Sequence, residues 1–539
     1  MGRTDERQVS QPGGVLGRRQ FLGGLAATGA VVGAGGLLAA CGSSGGTPAA
    51  TPSASSTATR SGGNLSVGLT GGSGQDTLDP HKGLTYLDTA RAQSLYEPLL
   101  QLNAQAQTEY VLAESIVPHD SNKKWIIKLR PGITFHDGKP LTADDVIFTF
   151  RRIKEANKGA GFAGASSLGP MDLAGLKAID KHTVMVPMTK AYGSLLDQMA
   201  FWYYLYIVPD GYNPTQPPNG TGPFKYKSFT PAARSVFVRN ENYWQSGLPH
   251  VDSVTIIDFS DSVSLQNALT TNVIDAAGGL EGPQIAALSS NSNVKTIASK
   301  TGAITPFTMR VDQAPFNDVN VRQALRLIVD RQQLIDSALD GFATVAADVF
   351  SPFDPDFKGW TRQADIPQAK HLLKKAGQES LNVTLTTSAV ATGTVAMATV
   401  LAEQAKAAGV TIKVSTVSPN TFFTTGKYLE WTFSQDFYNY SPYLAQVAQS
   451  MQPTSPYNET HTDNPQYNAW YKEANETLSL ATRKSIEHEM QNFDFTQGGY
   501  IIPCFIDALD AYSTKLTGYG PARVGQPLSD FDFKDWSFT

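Results

Sequence analysis

The sequence predicts an α/β protein built from at least two domains. Its 539 residues exceed what one hydrophobic core organises, since single cores stop growing beyond about 250–300 residues. Hydrophobic residues at 41% and aromatics at 10% are ordinary for a globular chain and exclude global disorder. From residue 302 onward, strand patterns alternate with helix patterns, as they do in an α/β lobe.

Taken in order, "NLSVGLT" from Asn64 reads as a short strand, and "LDTARAQSLYEPLL" contains a helix. "KKWIIKLR" alternates, with Trp125, Ile127 and Leu129 on one face, and Pro131-Gly132 turns the chain after it. "LTADDVIFTFRRIKEA" is a marked helix. Thr142 stands at its cap, Asp145 holds the acid position of a capping box, and Val146, Phe150 and Ile153 line one face. The chain up to about 300 then mixes short strands with loops such as "YNPTQPPNGTGPF". "VRQALRLIVDRQQLIDSAL" carries a helical stripe of Val321, Leu325, Ile328, Val329, Ile335 and Leu339, so Arg322 to Arg331 is expected to be helix. "IPQAKHLLKKAG" is a second helix, with Asp365 before it and Gly377 at its end. Strand "LNVTLTT", helix "TVAMATVLAEQAKAAG" and strand "VTIKVSTV" follow, and "YIIPCFI" reads as a buried strand holding Cys504.

The N-terminus has a different logic. Phe21 to Ala40 carries no charge and follows Arg18-Arg19, yet six of its twenty residues are Gly and six are Ala. Few of those side chains prefer hydrocarbon, which argues for an export signal over a membrane span. Leu38-Ala39-Ala40-Cys41 resembles a bacterial lipobox. In such signals the thiol takes a diacylglycerol, and cleavage leaves the cysteine first. Residues 1–40 are therefore expected to be a lipoprotein signal peptide, with Cys41 the lipid attachment site. "RRQFL" also resembles a twin-arginine export motif, departing from it at Gly17 and Gly23; both export routes stay open. Residues 41–63 form a Gly/Ser/Thr/Pro tether, spanning about 25 Å on average.

Residues 1–40 hold four Arg and two acids, so 39 basic and 46 acidic residues remain after them, a net charge of −7. This balance argues against nucleic acid and against a polybasic membrane patch, and it tolerates a cationic ligand. With 2 cysteines, there is no disulfide framework. No phosphate loop, dinucleotide fingerprint or nucleophile elbow is present, and none of the 8 histidines pairs at metal spacing. "SNKK" from Ser121 and "KTG" from Lys300 imitate elements of penicillin-recognising enzymes. However, the first falls in a polar turn, not at the start of a buried helix where Lys124 could activate Ser121. No catalytic residue, metal or cofactor is expected.

Several blocks together resemble one family. "TLDPHK" and "LYEPLL", then "KLRPGITFHDGKPLTADDVIFTF", "GTGPFKYKSFTPAARSVFVRNENYW" and "APFNDVNVRQALRLIVDRQQLI" occur in order from about Asn64. They resemble the family 5 solute-binding proteins of ABC importers, which include oligopeptide and dipeptide binders. The resemblance implies a two-lobed, type II periplasmic-binding-protein-like α/β fold with two crossing strands between lobes. It places the first lobe at 64–96, 209–301 and 505–539, a small extra domain at 97–208, and the second lobe at 302–504.

In that family's peptide binders, an acid in a late aromatic-rich loop pairs with the ligand's amino terminus. The matching stretch is "WTFSQDFYNYSPYL", and the acid is Asp436. Around it stand Trp431, Phe433, Phe437 and Tyr438, with Tyr440 and Tyr443 beyond; Phe307 is a further pocket candidate. The family's Trp lies closer to its acid; here Phe433 holds that place. With the lipobox-like run and the missing catalytic motifs, the resemblance implies a monomeric, lipid-anchored, extracytoplasmic binding protein that is not an enzyme. It would deliver a peptide or other amine-bearing solute to ABC permease subunits and their ATPases. The rival readings are a receptor for a non-peptide solute, such as a sugar or metal chelate, and a lipoprotein hydrolase.

Overall fold

In the computed structural model, residues 61–83, 85–155, 162–165, 167–201, 204–424 and 427–539 are described. The expected signal peptide, Cys41 and the tether as far as residue 60 lie outside the described residues. Gly62 and Gly63 already belong to the folded body, donating to His250 O and Asp252 Oδ2, each at 2.8 Å.

Asn64–Thr70 buries Leu65, Val67 and Leu69 and runs parallel to Ser253–Phe259 and Ala276–Ala277. It belongs to an eight-stranded sheet in the order Val294–Ile304, Cys504–Ser513, Ala276–Ala277, Asn64–Thr70, Ser253–Phe259, Arg234–Arg239, Phe224–Thr230. The eighth strand, Ala343–Val345, pairs with Cys504–Ser513 although it comes from within 302–504. The sheet thus draws on widely separated parts of the chain.

A four-stranded antiparallel sheet lies within 97–208, in the order Ala113–His119, Lys124–Leu129, Thr183–Pro187, Lys177–Asp180. Trp125, Ile127 and Leu129 are buried, as the period-2 pattern requires. The helix Ala143–Glu155 buries Val146, Phe150 and Ile153. At its start the acid does the capping: Asp145 Oδ2 accepts from Thr142 N at 2.7 Å and Thr142 Oγ1 at 2.8 Å.

A five-stranded sheet, Thr411–Val417, Asn382–Ser388, Phe433–Gln435, Phe307–Met309, Tyr500–Ile501, forms the second lobe's centre. Its core includes Met309, Leu325, Ile328, Leu373, Leu385 and Leu401. The stripe read from Val321 to Leu339 is two helices, Val319–Ile328 and Arg331–Ala338. Asp330 explains the break: its carboxylate accepts from Gln333 N at 3.0 Å and caps a new helix. Asp365 caps Ile366–Lys375 in the same way, accepting from Gln368 N at 2.9 Å, and Gly377 follows with φ 68°. Asp365→Ala should therefore cost about 1 kcal/mol, read as a lower denaturant midpoint with an unchanged slope.

Two adjacent segments join the sheets. Val294–Ile304 leaves the large sheet, and Phe307 enters the small one after Thr305-Pro306. Tyr500–Ile501 returns through Ile502-Pro503 to Cys504–Ser513. The expected single strand around Cys504 is thus split at Pro503, which has no N–H to give to a ladder. Asp348 clamps the return crossing. Its backbone N–H donates to Ile502 O at 3.2 Å, and its Oδ1 accepts from Ile502 N at 3.0 Å. Arg331 and Arg362 pair with the same buried carboxylate at 2.9 and 2.6 Å.

Candidate solute-binding site

Phe433–Gln435 pairs antiparallel with Phe307–Met309, and the chain then leaves the sheet alongside the first crossing segment. Asp436 N donates to Pro306 O at 3.2 Å, and Tyr438 exchanges backbone bonds with Ile304 at 2.9 and 2.8 Å. The first lobe touches the same loop: Tyr86 Oη donates to Asn439 Oδ1 at 3.2 Å, and Tyr440 N donates to Val524 O at 2.9 Å. Asp436 is therefore held at the seam between the two sheets.

Its side chain is 3% exposed. Oδ1 accepts from Phe437 N at 2.8 Å, and Oδ2 accepts from the Tyr428 hydroxyl. The Tyr428 hydroxyl also lies 2.8 Å from Glu459 Oε1, which the Tyr438 hydroxyl reaches too, while Tyr500 Oη donates to Glu459 Oε2 at 2.8 Å. Glu459 is 2% exposed. Two buried carboxyls and three phenols thus form one network. Burial raises the Asp436 pKa, opposed by hydrogen bonds from Glu459, Tyr428 and the Phe437 amide. Burial, and then the Asp436 charge, push Glu459 well above the usual carboxyl range.

The aromatics divide. Phe437 is 36% exposed and meets Phe423, 41% exposed, edge-on at 6.5 Å between ring centres. Phe423 also meets the Tyr428 ring at 5.3 Å, so two open rings adjoin the residues that bond the acid. Phe433, three residues before Asp436, is packed against Phe316 at 5.1 Å in the second lobe's core, where Phe307 is also fully buried. Phe307 packs in that core, and Phe433 packs there while also lining a cavity. Half-buried Trp431 stacks on Phe422 and, with Phe433, lines a cavity of about 380 Å³. A second cavity, of about 290 Å³, lies in the first lobe beside Tyr96, Glu97, Tyr243 and Lys534. Asp436 lines neither. Tyr438 is in the acid network, Tyr440 packs with the extra domain's core, and Tyr443 donates to buried Asp494 at 2.6 Å. Sequence reasoning missed Glu459, Tyr428, Tyr500 and Phe423. Nothing in "SPYNETHTDNP" distinguishes Glu459 from a loop acid.

Ser121 sits exposed in a turn with positive φ at Asp120, Ser121 and Asn122, and Lys300 pairs with Asp507 at 2.7 Å. They form no catalytic constellation. Asp354, Asp356 and Glu487 bring carboxylates within 4.8 Å of one another, but Lys484 and Arg483 already pair with two of them. Among the described residues, no helix is long and apolar enough to cross a membrane.

Two α/β lobes joined by paired crossing segments, with an acid held at the seam, define a periplasmic-type binding protein. Residues 107–472 match the model of the bacterial extracellular solute-binding proteins, family 5. The glutathione-binding protein GsiB of Shigella dysenteriae is 27% identical over 498 residues, covering 86% of this chain and 93% of its own. The substrate-binding protein CtaP of Listeria monocytogenes superposes with a TM-score of 0.77 at 22% identity, covering 89% of this chain and 100% of its own. DppA of Helicobacter pylori, solved with the peptide STSA, gives 0.76 at 18%, covering 89% and 98%. The chain belongs to family 5 of the bacterial extracellular solute-binding proteins, the binding components of ABC importers. It is a binding protein and not an enzyme.

Proposed function

We propose that the protein captures an amine-bearing solute, a short peptide or a peptide-like molecule such as glutathione, with Asp436 as the anchor for its ammonium group. The observation that carries this reading is a buried carboxylate at the seam with no basic partner among the described residues. The exposed rings of Phe423 and Phe437 beside it offer apolar surface to the rest of the ligand. Likeness to a protein described as glutathione-binding supports the same class. On this reading the ammonium replaces the Tyr428 hydroxyl on Asp436, since the other donor is backbone. Closure of 302–504 onto the discontinuous first lobe then contacts the ligand from both sides. Native mass spectrometry of the purified protein should show a co-purifying amine. Reduced glutathione and the peptide Ser-Thr-Ser-Ala should bind by calorimetry, and their N-acetylated forms should not. Equal binding of blocked and free amines overturns the reading.

The proposal extends to location. Cys41, at the end of a lipobox-like run, anchors a monomeric protein to the outer face of the membrane through the tether. The mature N-terminus should be a diacylglyceryl-modified Cys41 by mass spectrometry, and Cys41→Ala should abolish that modification. An unmodified Cys41, or cleavage elsewhere, refutes it.

A further inference from the structure

The second acid carries an inference that rests on Asp436 being the amine anchor. Glu459 lies on the loop between helices Tyr443–Ser450 and Pro465–Glu476. The Tyr428 hydroxyl is within bonding reach of both Asp436 and Glu459, yet a phenol has one proton to donate. With both acids ionised, one buried carboxylate would face the lone pairs of that oxygen. A proton on Glu459 removes the conflict, because the carboxyl then donates where it otherwise could only accept.

The surroundings supply no other compensation. The titratable groups facing the pair are Tyr428 from its turn, Tyr438 after the strand, Tyr457 from the loop and Tyr500 from the neighbouring strand. His461 turns away to Leu429 O, and Arg310 is occupied by Asp312 and Glu430. No Lys, Arg or His pairs with either acid among the described residues.

We propose that Asp436 and Glu459 form one acid pair holding a single proton, and that a ligand ammonium docking at Asp436 expels it. The Glu459 O–H bond breaks and its proton passes to solvent. The ammonium N–H groups then bond the two carboxylates, while the phenols of Tyr438 and Tyr500 continue to hold Glu459. Glu459 thereby selects ligands with a charged amine. A neutral amide end cannot displace the proton, and leaves Asp436 competing with its own protonated neighbour. Uptake of solute at this site is coupled to proton release.

Infrared titration of the exported chain tests the pair without any ligand. The difference between wild type and Glu459→Gln should show a protonated carboxyl at neutral pH; a difference showing only an ionised carboxylate overturns the proposal. Should Glu459→Gln fold poorly, Tyr500→Phe serves, since it removes a donor to the ionised acid and should extend the protonated signal to higher pH. Calorimetry with reduced glutathione and Ser-Thr-Ser-Ala, in two buffers of different ionisation heat, tests the exchange. Wild type should release close to one proton per ligand bound. Its affinity should fall about tenfold per unit as pH is lowered from about 7 to 6, where the ligand α-amine is already charged, the slope of a one-proton linkage. Glu459→Gln should release none and stay flat over that range. Binding without proton release overturns the exchange. If neither probe binds while the infrared signal is present, the acid pair stands, and the exchange fails together with the anchor reading.

Discussion

Asp436→Asn should weaken binding of an amine-bearing ligand by about 10²–10³-fold. The side chain is 3% exposed and lies at the seam between the sheets, so a salt bridge formed there is desolvated. Two unit charges about 4 Å apart attract by about 4 kcal/mol at an effective dielectric of 20. Removing one partner of a buried pair costs about 3–5 kcal/mol, which converts to a loss of about 10²–10³-fold or more. Were Asp436 only a structural acceptor for Tyr428 and the Phe437 amide, the Asn oxygen would keep the Phe437 bond and its NH2 would donate to the Tyr428 oxygen, whose proton has Glu459 as acceptor, and affinity would change by less than about 1 kcal/mol. Calorimetric titration of reduced glutathione separates the outcomes, after circular dichroism shows both proteins folded. N-acetylation of the ligand should cost wild type as much as the mutation does and cost the variant little more, since both changes remove one interaction. Equal affinities for the free amine refute the anchor.

Asp348→Asn should lower stability by about 3–5 kcal/mol. The carboxylate is 1% exposed and faces two guanidinium groups, Arg331 and Arg362, both nearly buried. Neutralising it leaves two cations without an acid in a medium that solvates them poorly. Asn can still accept from Ile502 N, so the loss isolates charge from the clamp on the crossing segment. Denaturant unfolding should show a much lower midpoint at unchanged slope. A midpoint within about 1 kcal/mol of wild type would mean that the guanidinium groups are solvated by other means.

Local chemistry was legible in the sequence wherever it acts through neighbours in the chain. The alternation of Trp125, Ile127 and Leu129, the Asp365 cap and the Gly377 stop each depend on a few adjacent residues, and the structure keeps them. Apolar periodicity continued through Val329 and Asp330 and suggested helix where Asp330 restarts one, because a stripe records which face is buried and not whether the backbone bonds run unbroken. The pairing of Ala343–Val345 with the large sheet has no local signal either.

The sequence by itself determined the family, the α/β alternation and the acid in the late aromatic loop, since each is written in residue order and spacing. Only the tertiary structure decided what surrounds that acid. Tyr428 comes from a turn eight residues before the acid, Glu459 and Tyr500 come from a loop and a strand further along the chain, and hydrogen bonding among them depends on distances that packing sets. The same packing separates Phe437, open beside the acid, from Phe433, buried in the core. Strand alternation sends residues of opposite parity to opposite faces, but only a partner sheet and a second lobe decide which face is covered.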